Sequence, residues 1–460
     1  MLRLLYTAII SLIVSVAVTG CIEDGFTSNP NDQPEYSVDT LRLGSVFTAE
    51  GTPTHTFKVF NRHDKGIVIS RIAFRNEADA GIFRLNVDGL SGKSFDNVEI
   101  RANDSIFVLV EATLPENGLT VPVNIDAPLD FSVNGRTSTV VLNAVGRDVE
   151  RLRGDVFTSS ITFSSEKPYQ IFDSLVVAEG VELTIPAGAS LHFHSGAELR
   201  VRGSLRIDGT ADAPVNLVGD RFGQVVGRIP YEVMSDQWGG VVFYGTSRSN
   251  RMSYASVRNT SFGVWIDSVD VDMTEPVLTL VNCQLRNSAR SVLTAIHAPV
   301  RAAGCEFADA PQGVVVLHGG RHTFNHCTFA NNYLFASITG AMLDMSGDGI
   351  GIDVSNSIIY GIGPQIAPSD ISGMDVGIRR TLLKPDGSDD DNFVGCIWNA
   401  DPLFRTVRSE YLFDYRLSDD SPAIGTADPA LTDPDTSSDF YGLPRGSSSD
   451  LGAYVYVPED

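Results

Sequence analysis

Cys283, Cys305 and Cys327 stand 22 residues apart and then 22 again. A fixed period of that length means one structural unit used repeatedly, and such a unit buries its apolar face only by stacking on its neighbours. Aligned on the cysteines, Cys283-Gln284-Leu285-Arg286-Asn287, Cys305-Glu306-Phe307-Ala308-Asp309 and Cys327-Thr328-Phe329-Ala330-Asn331 share a small residue, an apolar one two places on, and Asn or Asp two places beyond that. Ala255-Ser256-Val257-Arg258-Asn259 precedes them by 28 residues and Ser357-Ile358-Ile359-Tyr360-Gly361 follows by 30, so loops are inserted at both ends. Carried forward at constant register, Val264, Val292, Val314 and Ala336 form a second inward column and Ile266, Thr294, Val316 and Ile338 a third. Alternation between columns is strand-like rather than helical. One strand after another with a polar turn residue in a fixed place describes a single-stranded solenoid, the parallel β-helix, and strand sterics make the right-handed coil the expectation. Residues 150 to 400 hold roughly nine to eleven such coils at about 4.8 Å each. The column Asn259, Asn287, Asp309, Asn331 reads as a turn ladder, because Asn tolerates left-handed backbone.

The preceding stretch, residues 39–148, reads as a different β unit. Thr56-Phe60, Ile67-Phe74, Phe83-Val87, Ser105-Ala112, Thr120-Ile125, Leu129-Val133 and Thr139-Val145 are short β-branched and aromatic runs broken by turn residues. Seven strands in about 110 residues suit a β-sandwich. Asn134-Gly135 between two alternating runs predicts a two-residue type I′ hairpin. The whole chain is therefore expected to be all-β. A formal charge of −23 without any basic run excludes a nucleic-acid partner, since phosphates are neutralised by clustered Lys and Arg.

The N-terminus sets the expected compartment. Leu4 to Thr19 is an apolar run after Arg3, too short for a comfortable span of about 20 residues, and no second span follows. Val18-Thr19-Gly20-Cys21 resembles the bacterial lipobox, which implies cleavage after residue 20 and lipidation of Cys21. Glu23-Asp24 resembles the export signal of Bacteroidetes surface lipoproteins, implying the outer membrane and an outward-facing protein, with a periplasm-facing one as the variant of that reading. Residues 21–38 are then a lipidated tether.

The other resemblances concern fold. Phe131-Ser132-Val133-Asn134-Gly135 and Val141 to Asp148 resemble the Ig-like domain of such lipoproteins. Leu183-Thr184-Ile185-Pro186-Ala187-Gly188-Ala189, Leu199 to Leu205, Gly209 to Val215 and Gln237-Trp238-Gly239-Gly240-Val241 resemble the right-handed parallel β-helix proteins of Bacteroidetes, a fold shared with pectin lyases. Asp401-Pro402-Leu403-Phe404, Ser421-Pro422-Ala423-Ile424-Gly425 and Asp450-Leu451-Gly452-Ala453-Tyr454 resemble the segment called choice-of-anchor Q. They imply a β-helix over 149–400 and a capping segment over 401–460. Fold is better specified than chemistry by such matches.

Residues able to carry chemistry are few. The three stacked cysteines read as buried small residues; a disulfide is within Cα reach but strands an odd thiol, and no CxxC or Cys/His pairing serves zinc. His318, His322 and His326 are four apart, a metal spacing only on a helix. Acidic loops at Asp267, Asp270 and Asp272, at Asp344, Asp348 and Asp353, and at Asp386, Asp389, Asp390 and Asp391 could take a hard cation such as calcium, yet none repeats at coil spacing. Trp265, between inward Val264 and Ile266, points outward, in a column with Leu293, Val315 and Ser337; it reads either as packing beneath a loop or the neighbouring domain or as a sugar platform, and it is the one candidate ligand-binding residue. Two functions stay open: a noncatalytic surface lipoprotein binding a glycan or host partner, and a polysaccharide lyase or glycoside hydrolase acting on acidic glycans.

Overall fold

The computed structural model describes residues 25–225, 228–269, 275–446 and 449–459. The chain divides between Asp148 and Val149 into two compact units. Strand is the only extended regular structure in either; helix appears among the described residues as short 3-10 turns alone.

The first unit holds two five-stranded sheets. One runs Glu35–Tyr36, His55–Phe60, Ser105–Ala112, Phe83–Val87, Leu90–Gly92 in spatial order, the other Thr40–Phe47, Arg136–Arg147, Val123–Val133, Ile67–Phe74, Ser94–Ile100. Alternate residues of both sheets, among them Phe57, Val108, Val110, Leu129, Phe131 and Leu142, meet in one buried cluster, as period-two side chains require when one face is wet. The expected hairpin is present: Val133 pairs with Arg136, and Asn134 and Gly135 take φ of 48° and 78°. Thr40–Phe47 pairs in parallel with Arg136–Arg147, the single parallel pairing among the described strands of this unit.

The second unit is a stack of coils. Strands fall in turn into a first, a second and a third sheet, and each bonds in parallel to the strand three places later in sequence until the last pairing of the third sheet, where Asp375–Arg379 meets Phe393–Val394 two places on. The sheets contain ten, nine and ten strands, so nine steps of about 4.8 Å give the first sheet a height on the order of 43 Å. This is the layout of a β-solenoid. Like sits on like: Ala255, Cys283, Cys305, Cys327 and Ser357 stack, Gln284 pairing with Glu306, Glu306 with Thr328 and Thr328 with Ile358 one residue on. The three cysteines are free and buried. Above the same strands Phe307 and Phe329 stack at 5.4 Å between ring centroids.

Left-handed residues turn the corners. Between first and second sheets Asn259, Asn287 and Asp309 have φ of 68°, 57° and 64°. A second column, which the sequence reading did not single out, lies between third and first sheets: Tyr254, Asn282, Gly304, His326, Asn356 and Arg380, all with φ between 45° and 70°. Single left-handed residues cost on the order of 1 kcal/mol without Gly or Asn, and here they recur because each coil must turn at the same height.

One expectation is corrected. Val264 stacks on Leu293 and then Val315, and Trp265 on Thr294 and then Val316, one residue away from the constant-period columns. The corner after Asn259 takes four residues before Val264, whereas those after Asn287 and Asp309 take five before Leu293 and Val315, and a one-residue slip exchanges the two faces of a strand. Leu293 and Val315 therefore point inward, while Val292 and Val314 pack in the corner. The described residues after 400 lie along a flank as well as near the last coils. Leu417, Ala423, Ala427 and Leu451 pack on Ile358 and Leu382, and Tyr415, Phe440, Ala453 and Tyr454 pack on Ala308 and Ala330, all on the outer face of the first sheet. Backbone N–H groups of Asp433 and Asp428 donate to the side-chain carbonyls of Asn325 and Asn356 at 2.9 and 2.8 Å.

Candidate functional site

The outer face of the second sheet is where Trp265 lies. Successive coils place Arg200, Val242, Trp265, Thr294, Val316 and Asp344 in one outward column. Trp265 is half-buried, and its indole N–H donates to Asp267 Oδ1 at 2.9 Å, which fixes the ring's tilt. Tyr244, one coil away and just past its strand, carries the Arg202 guanidinium 4.2 Å over its ring. Such a cation on an aromatic face is favoured by the ring quadrupole and keeps the phenol in place. Arg200 is held by Glu198 at 2.7 Å. Two aromatic rings, two arginines and the carboxylates of Glu198, Asp267 and Asp344 thus share a partly exposed strip, and adjacent coils repeat at about the spacing of stacked strands. Tyr244 and Arg202 escape a constant-period reading because they follow Phe243 and Val201, inward residues at the ends of their strands, and sit at the edge of the repeat.

The outer face of the first sheet carries a denser polar group that the sequence reading passed over. Arg286 Nη2 lies 2.7 Å from Glu306 Oε1, and Tyr454 Oη–H donates to Glu306 Oε2 at 2.5 Å. Gln284 Nε2 donates to the same Tyr454 oxygen at 2.8 Å. Beside them Tyr415 Oη–H and Asn332 N–H donate to Asp309 Oδ1 at 2.7 and 2.8 Å. Burial pushes the Glu306 carboxyl up from its ordinary value, against the pull of Arg286 and Tyr454. Burial likewise pushes Asp309 up to about 6, against the Tyr415 hydroxyl and the Asn332 N–H. An arginine, two carboxyls and two phenols are the materials of acid–base chemistry on a sugar. Tyr415 and Tyr454 belong to the C-terminal segment, however, and the Glu306 side chain is 0% exposed. The group fastens that segment to the sheet. The signal for it was a charge at outward positions of consecutive repeats, Arg286 and Glu306, which belong to adjacent columns and so meet diagonally.

The remaining candidates do not converge. His318 Nδ1 meets Ser346 Oγ at 2.6 Å. His322 sits buried on Val300, with its Nε2 2.9 Å from Gly319 O, and burial lowers its pKa to about 4. His326 occupies a corner against Thr432 and Asn356, and burial, aided by Arg445, lowers it to about 2. Asp353 pairs with Arg379 at 2.7 Å. Asp389 accepts from Trp398 Nε1, Gly395 N and Cys396 N, which hold it below the usual carboxylate range, the indole most strongly. Asp390 accepts from Asn392 N and Phe393 N. Among the described residues no three of His, Cys, Asp and Glu are grouped to hold a metal ion. Asp270 and Asp272, and Cys21 with the lipobox, lie outside the described residues.

No family profile and no curated protein matches the chain. Among solved structures it is similar to a family 123 glycoside hydrolase from Clostridium perfringens, 8% identical over 25% of this chain and 26% of that one, with a TM-score of 0.17. It is similar also to the PapD-like domain 7 of human CEP192, 9% identical over 26% of this chain and 89% of that domain at a TM-score of 0.18. The Agl-KA catalytic domain is 9% identical over 66% of this chain and 91% of its own, at a TM-score of 0.19.

Proposed function

We propose that the chain is a noncatalytic outer-membrane lipoprotein, anchored through Cys21 and facing outward, whose second-sheet flank binds an extended glycan or another polymer of a host or partner surface. In this reading the first unit is an Ig-like spacer, the second a right-handed parallel β-helix, and residues 401–460 the choice-of-anchor Q type segment. One observation carries it: the group of Arg286, Glu306 and Asp309 is sealed beneath Tyr415 and Tyr454, while the strip of Tyr244 and Trp265 is partly exposed. Aromatic rings beside charged side chains suit the apolar face and polar rim of a pyranose, and a flank that repeats coil by coil suits a ligand that is itself a repeat. The test is an array of acidic, neutral and host polysaccharides probed with the purified chain, read both for retention and for new reducing ends or unsaturated products. Retention with polymer recovered intact supports the reading. Product formation replaces it with the lyase or hydrolase alternative.

A further inference from the structure

The first-sheet strand Val215–Gly219 and the second-sheet strand Gly240–Phe243 are joined by an excursion whose described residues are 220–225 and 228–239. The 3-10 turn in this excursion, Tyr231–Val233, is fastened from beneath by two buried amides. Asn259 Nδ2 donates to the carbonyls of Glu232 and Met234, both at 2.8 Å. Gln237 Nε2 donates to those of Tyr231 and Met234 at 2.5 and 3.0 Å. Buried amides that take up loop carbonyls fix a wall in advance, so a ligand meeting it bears little ordering entropy.

Between this wall and the outer face of the first sheet lies a cleft of about 240 Å³, whose lining includes His192, Val218, Arg221, Phe222, Glu232 and Arg258. The volume falls below the roughly 300–1,000 Å³ of sites that enclose a drug-sized molecule, so one ring fits where a polymer does not. Arg258 is oriented by a hydrogen bond to the Glu232 carboxylate. Arg221 is exposed and lies 5.7 Å from the Tyr231 ring. The Phe222 and His192 rings lie 5.5 Å apart between centroids, tilted by 49°. Two guanidiniums against the single Glu232 carboxylate leave one net positive charge among the charged lining residues, in a chain whose overall charge is −23.

We propose that this cleft binds a single carboxylate-bearing sugar ring, the acid held by Arg221 and Arg258 and the ring face by Phe222 and Val218. Guanidinium forks match a planar carboxylate in geometry as well as charge, and an aromatic face covers the C–H side of a pyranose. The site shares no residue with the Tyr244 and Trp265 strip and stands whether or not that strip binds a polymer.

Calorimetric titration of the purified full chain with glucuronate and galacturonate tests it, with glucose and galactose as rings lacking the acid and acetate as the acid lacking a ring. The uronates are expected to bind at least about tenfold more tightly than all three controls. Arg221→Gln, at an exposed position, is expected to weaken uronate binding at least about tenfold with the melting temperature unchanged, Phe222→Ala to weaken it as well, and Trp265→Ala to leave it as it was. Absence of uronate binding up to tens of millimolar, binding of acetate as tight as that of the uronates, or full affinity in Arg221→Gln overturns the proposal.

Discussion

Asp309 shows how a single residue serves the repeat and the flank together. Its column is otherwise Asn259, Asn287 and Asn331, and its φ of 64° is one that Asn tolerates. The carboxyl accepts from Tyr415 and Asn332, which an amide oxygen can do equally, while burial holds its pKa near 6 rather than 3.8. A carboxyl whose folded pKa is raised contributes most below its unfolded value, and that contribution is lost as pH rises through about 6. Asp309→Asn is therefore expected to melt higher than the parent at pH 8, by up to about 3 kcal/mol, with the gap closing toward pH 4. Thermal melts of the two proteins across pH check this; a variant less stable at pH 8 contradicts it. The strip on the second sheet yields a second residue-scale expectation. Trp265 is partly exposed and tied only to Asp267 among its side-chain hydrogen bonds, so Trp265→Ala should lower stability by no more than about 1–2 kcal/mol while removing polymer retention. A loss of several kcal/mol, measured by denaturant titration, would make the indole a packing residue.

At the scale of the strand, the stack of cysteines sets the energetics. Cys305 lies between Cys283 and Cys327, its sulfur 3.4 Å from the Cys283 N–H and bonded back to Ala303 O. Cys305→Asp places an unpaired charge in that column and should cost several kcal/mol, whereas Cys305→Ala leaves a small void and should cost about 1 kcal/mol. Chemical denaturation distinguishes them, and equal tolerance contradicts the buried column. The columns legible in the sequence were those of the first sheet, where spacing between Cys283, Cys305 and Cys327 is constant. The second sheet was misread because corner length varies by one residue between Asn259 and Asn287, and periodicity counts residues rather than backbone turns. The corner column at Tyr254, Asn282, His326 and Arg380 shares a conformation without sharing a residue type, so no pattern of letters marks it. In the first unit Thr40–Phe47 and Ser94–Ile100 went unlisted for a similar reason: Gly44, Asp96 and Asn97 interrupt the alternation that the ladder nevertheless carries.

For the whole molecule, the C-terminal segment decides which flank is open. Its path back over Ala308, Ala330 and Ile358 was not legible in the sequence, because that path is set by outward residues of distant coils that look like ordinary surface positions. Attachment is a separate expectation: Cys21→Ser should move the protein from the membrane fraction to the soluble one, since stable anchoring needs more than one acyl chain and the single sulfur is where they begin; retention in the membrane pellet contradicts it. The most direct test of the account compares the parent with Tyr244→Ala/Trp265→Ala on the polysaccharide that the array retains best, following bound protein and polymer length together. The account predicts that the parent binds and leaves the polymer at full length, and that the double variant, with an unchanged circular dichroism spectrum, no longer binds. Shortened polymer in the parent sample, or undiminished binding by the double variant, contradicts it.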